Sequence, residues 1–118
     1  MRSWILVSLL CLTGCASTPD TRVITCVAGQ DCDAKWSRAM QWLQQNSSWK
    51  VQTQTDTSIV TEGPADTAKP AFEVTKVAQD NGTNRISMRA WCGSSANCDR
   101  LIGKLTASFN DYVLTDSR

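Results

Sequence analysis

Apolar and polar positions divide the chain into stretches of different period. Trp4 to Leu12 is an almost unbroken apolar run behind a positive Met1-Arg2 start, whereas Ala16 to Thr21 is small, polar and interrupted by Pro19. Arg22 to Val27 is β-branched and predicts a short first strand. Cys32, Trp36, Ala39, Met40 and Leu43 recur at helical spacing and predict an amphipathic helix over 33–46, with Asp31-Cys32-Asp33 offering an N-cap and an acidic first turn. Trp36 belongs to that helix's apolar stripe, and Trp42 falls beside it.

Trp49, Val51, Thr53 and Thr55 then alternate with Lys50, Gln52 and Gln54, as on a half-buried strand. Asp56-Thr57-Ser58 turns the chain and Ile59 to Glu62 returns it, before a loop from Gly63 to Pro70. Phe72, Val74, Lys76 and Ala78 alternate with Glu73, Thr75 and Val77. The hairpin signal Asp80-Asn81-Gly82-Thr83 follows, read as a two-residue turn at Asn81-Gly82. Beyond it, Ile86, Met88, Ala90 and Cys92 point one way, and Arg85, Ser87, Arg89 and Trp91 the other. Leu101, Ile102, Leu105, Phe109, Tyr112 and Val113 share one face of a second helix over 97–114.

The order β-α-β-β-β-β-α predicts an α+β fold: a two-layer sandwich with a largely antiparallel sheet and both amphipathic helices on one face. An eight-stranded barrel is the alternative, disfavoured by the length and periodicity of the helical segments. In element order the plan is similar to the helix-grip domains of the C lipoprotein of the outer-membrane barrel-assembly machinery. No motif accompanies that similarity, and element order transfers no function.

The first apolar run is too short for the roughly 20 residues that cross a bilayer. A positive start, an apolar stretch and small residues before a cysteine have instead the order of a secretory signal. Leu12-Thr13-Gly14-Cys15 resembles the lipobox of bacterial lipoproteins. The resemblance implies that residues 1–14 are a signal peptide removed on export, that Cys15 carries diacylglycerol and an N-acyl chain, and that 15–21 form a lipid-anchored tether before a single domain over 22–118. It also implies that Ala16, standing where Asp would retain the protein at the inner membrane, sends it to the outer membrane, facing the periplasm. Two or more acyl chains anchor a protein stably where one does not. Ala16 to Thr21 within it reach about 20 Å at most, which holds the domain close to the membrane.

Charge changes the picture by exclusion. Removing residues 1–14 removes one of the 12 basic residues, leaving eleven against 11 acidic ones. No cationic excess argues for nucleic acid. There is no His, which rules out a His base, a Ser-His or Cys-His nucleophile and the commonest metal ligand. No cofactor is expected, and Glu62, Asp66, Glu73 and Asp80 show no spacing that selects a catalytic carboxylate pair. The expected protein is not an enzyme.

Of the six cysteines, Cys11 lies in the segment expected to be removed and Cys15 in the lipobox-like stretch. The remaining four form two matched units, Cys26 to Cys32 and Cys92 to Cys98, each enclosing five residues, each followed by Asp, and 66 positions apart. Zinc sites space paired ligands more closely, and an exported protein meets an oxidising compartment, so disulfides are expected. Loop entropy does not select among the three pairings. A short Gly-containing turn can close on itself, which favours Cys26 with Cys32 and Cys92 with Cys98.

The candidate binding face is the outward row Arg85, Arg89 and Trp91, with Glu73 and Thr75 opposite. Trp beside Arg is the composition of a binding surface. The simpler and preferred reading is a solvated face in which Glu73 pairs with an Arg. A structural or protein-binding envelope lipoprotein is therefore expected, its partners the membrane through Cys15 and an envelope protein. A glycan or small-ligand module resting on Trp42, Trp49 and Trp91 is the alternative, followed by a hydrolase inhibitor.

Overall fold

The computed structural model describes residues 22–65, 67–93 and 97–115. Its elements are β1 (Ile24–Val27), α1 (Gln30–Asn46), β2 (Val51–Gln54), β3 (Ser58–Thr61), β4 (Ala71–Ala78), β5 (Thr83–Trp91) and α2 (Asp99–Leu114). The strands form one antiparallel sheet in the order β1-β5-β4-β3-β2. This is the expected α+β architecture, in the expected element order.

The topology follows from the length of α1. Its 17 residues span about 25 Å, enough to cross a five-stranded sheet about 19 Å wide. The helix therefore carries the chain from one edge to the other, and three successive antiparallel pairings bring it back until β5 lies against β1. α2 then packs over β1 and β5 and beside α1.

The core lies between the layers. Ile24, Ile59, Phe72, Val74 and Ile86 on the sheet meet Ala39, Trp42, Leu43, Phe109 and Val113 on the helices. Trp42 is its centre, with edge-on contacts to Phe72 at 5.4 Å and Phe109 at 5.3 Å between ring centroids. Its place beside the apolar stripe in the sequence is thus misleading, because α2 widens the buried face of α1. Leu101 shows the converse. It shares the apolar periodicity of α2 yet is 42% exposed, while Asn110 is buried.

Both disulfides form as expected, Cys26–Cys32 and Cys92–Cys98, with Cα separations of 4.9 and 6.5 Å. The two units close differently. α1 begins at Gln30, inside the first loop, with Gly29 at φ +106° as N-cap and no side-chain cap. Asp31 does not cap the helix; its carboxylate accepts from Val27 N at 2.7 Å and from Lys35 Nζ at 3.3 Å. In the second unit Cys98 is itself the N-cap of α2.

Candidate binding face of the sheet

The face of the sheet turned away from the helices is set by one turn. β4 and β5 pair with Glu73 across from Arg89, Thr75 from Ser87 and Val77 from Arg85. That register requires three connecting residues, Asp80-Asn81-Gly82, with Gln79 N donating to Thr83 O at 2.8 Å and Gly82 at φ +77°. A two-residue turn through Asn81-Gly82 would set Glu73 against Ala90 and shift the pairing by one residue, exchanging the faces. Gly82 decides the outcome because its left-handed backbone accommodates the extra residue.

On this face Arg89 lies over the Trp91 ring, its guanidinium carbon 4.6 Å from the centroid, and reaches the Glu73 carboxylate at 3.7 Å. The three side chains form one row of cation, aromatic ring and carboxylate. Arg89 is largely exposed, its side chain at 69%, whereas Glu73 and Trp91 are half-buried. An exposed ion pair at that separation adds little stability, and an exposed cation–π contact about 0.5–1 kcal/mol. Solvation and burial therefore leave the row available for contact. Arg85 stands apart, between Thr25 on β1 and Val77 on β4.

The other described tryptophans are committed elsewhere. Trp42 is buried and its Nε1 donates to Ser108 Oγ at 3.0 Å. Trp49 donates to Lys69 O at 3.0 Å and carries Gly63 against its indole. Trp36 is half-buried beneath the Lys76 ammonium, 5.0 Å from the ring. Trp42 and Trp49 therefore do not form a shared surface, and of Trp42, Trp49 and Trp91, on which the glycan alternative rested, Trp91 is the one left on the outward face.

Among the described residues no group of three or more His, Cys, Asp or Glu could hold a metal ion, and no helix is long and apolar enough to cross a membrane. Leu12-Thr13-Gly14-Cys15, the stretch that resembles a lipobox, lies outside the described residues. A cavity of about 460 Å³ runs between the helices, lined by Ala34, Ser37, Arg38, Gln41, Tyr112 and Thr115, and is bridged by a Tyr112 hydroxyl that donates to Gln41 Oε1 at 3.1 Å. It contains no carboxylate. Asp31 has its pKa lowered, first by the Val27 N–H it accepts and then by Lys35. It sits in the first Cys loop at the edge of β1, where it holds the Val27 N–H.

Sequence periodicity missed one feature of the outer face. Val23, Val27 and Val77 are 53%, 60% and 59% exposed and all lie on it. Alternation would have placed each of them outward, but the pairing of β1 with β5 is what gathers them around Arg85.

Comparison with known proteins brings no match: no protein-family profile, no curated protein and no solved structure matches the chain.

Proposed function

We propose that this chain is a small, non-enzymatic lipoprotein of the bacterial cell envelope, anchored through Cys15 in the outer membrane and facing the periplasm, where it binds a protein partner. The carrying observation is the row Glu73, Arg89 and Trp91: an aromatic anchor with its cation already in place on a sheet face that neither described helix covers. Trp and Arg in such a setting dominate protein interfaces. The lipobox supplies the anchor, and absence of His removes the commonest catalytic groups. A glycan-binding reading keeps Trp91 alone of its three tryptophans.

A photo-crosslinking residue in place of Ser87, between the two arginines, tests the reading in the native host. A single discrete adduct that Trp91→Ala abolishes supports it, with protein level unchanged. No adduct, or adducts insensitive to Trp91, removes the protein-binding role. Intact mass of the protein taken from membranes tests the anchor separately: three acyl chains on Cys15 are expected, and an unmodified N-terminus overturns it.

A further inference from the structure

The outer face carries a second, different surface at its β1 corner. Val23, Val27 and Val77 are three of the four large apolar residues exposed among those described, and the sheet register places all three around Arg85. Arg85 pairs with Thr25 on one side and Val77 on the other; Val23 and Val27 flank Thr25 by two residues each along the outward row of β1. One helix layer covers the opposite face, and among the described residues nothing buries this corner.

We infer that this valine corner is the surface by which the anchored domain rests on its own bilayer, the valines at the acyl boundary and Arg85 among the phosphates. The inference rests on the lipid anchor at Cys15 proposed above. Two observations select the bilayer as occupant. The first is where the chain leaves the fold: Arg22 and Val23 enter β1 at this corner, and Cys15 is only seven residues before Arg22, about 25 Å at full extension. Whatever holds Cys15 therefore holds the β1 edge within reach of the membrane surface. The second is composition. Arg85 is the charged side chain of the outward rows here, with Val77 across from it on β4 and Val23 and Val27 diagonal to it on either side of Thr25. Asp31 and Lys35 pair with each other at the β1 edge, on Val27 N and Thr25 O. A guanidinium beside apolar side chains suits a boundary where lipid phosphate overlies hydrocarbon.

Three valines and one arginine are too small a set to hold a free domain on a membrane. Behind a permanent anchor they need not, because the tether makes the contact intramolecular and raises its effective concentration. The corner then sets orientation rather than affinity. Arg85 is four residues from Arg89 and six from Trp91 along β5, about 13 and 20 Å, so a domain seated by its β1 corner leaves Trp91, at the far end of the strand, free for a partner near the membrane plane.

The test uses the acylated protein, isotopically labelled and reconstituted into nanodiscs of phosphatidylethanolamine and phosphatidylglycerol containing a trace of nitroxide-labelled lipid. Acylation of Cys15 is verified first by mass. Methyl signals of Val23, Val27 and Val77 should lose most of their intensity, and those of Ala34 on the helical side should keep it. Val27→Asp with Val77→Asp should abolish the loss while acylation persists and the Phe109 and Val113 signals stay in place; Arg85→Glu serves as an independent variant. Uniform broadening over all faces, or broadening of the helical side, overturns the proposal while leaving the anchor intact. So do valine signals that respond to protein concentration rather than to lipid, which would assign the corner to a second copy of the chain. An unacylated Cys15 removes both the anchor and this inference.

Discussion

Trp42 and Ser108 join the two helices side chain to side chain, the indole Nε1 donating to the hydroxyl at 3.0 Å. The same indole meets Phe72 and Phe109 edge-on, so a single residue links α1, α2 and β4. Trp42→Ala should cost about 3–5 kcal/mol, the range for emptying an aromatic site in a packed core. Ser108→Ala should cost about 1 kcal/mol or less, because Ser108 is exposed and water can replace it. Urea denaturation of the two variants checks the ranking, and equal losses would contradict it.

The two disulfides enclose loops of the same length, and loop entropy credits each with about 2.4 kcal/mol. Their surroundings differ. Cys26 and Cys32 are 1% and 2% exposed within the core, whereas Cys92 is half-buried. Replacing Cys26 and Cys32 by Ala should therefore destabilise the domain more than replacing Cys92 and Cys98, by about 1–2 kcal/mol of lost burial. The first pair should also be reduced more slowly by dithiothreitol, as non-reducing peptide mapping over time will record.

Gly63 holds φ +85°, and a methyl group built on it would overlap the indole of Trp49. Both the backbone and the space oppose a side chain there. Gly63→Ala should cost about 2 kcal/mol or more. Gly29, at φ +106° with open space around it, should lose only the conformational part, about 1 kcal/mol. Thermal melts of both variants separate the two causes.

Asp31 accepts the Val27 N–H and the Lys35 ammonium, which lowers its pKa in the folded state. The carboxylate's contribution is then complete above the unfolded-state pKa and is lost as the pH falls through the lower folded one. Because the group is exposed, solvent screens it and the contribution is at most about 1 kcal/mol. Asp31→Asn should lower stability at neutral pH and match the parent at strongly acidic pH. A difference that persists in acid would point to packing rather than charge.

Removing Arg89 should scarcely change stability, since its ion pair and cation–π contact are both exposed. Arg89→Ala is expected to stay within about 1 kcal/mol of the parent, while Trp91 becomes accessible to acrylamide quenching. A large loss of stability would show that the row is a structural staple and not a surface held open for contact.

Elements of this fold were legible as pattern because alternation and helical spacing are local properties. The alternations over 71–78 and 83–91 and the apolar stripes of the two helices placed both layers and the antiparallel order, and two short loops sufficed to pair the cysteines. Boundaries were less legible. α1 begins at Gln30 because Gly29 can take a left-handed backbone, which lets the helix start inside the Cys loop. Asp31, the more obvious cap, instead serves the end of β1.

Pattern along the chain could say which residues alternate, but not what stands across from them. That Glu73 meets Arg89 depends on one extra residue in the Asp80–Gly82 turn, and the gathering of Val23, Val27 and Val77 about Arg85 depends on β5 returning to lie against β1. Trp42 entered the core because a second helix, 66 residues away, closed over it at Ser108. Periodicity is written in neighbours three or four positions apart, whereas register and burial arise between segments that meet only once the chain has folded.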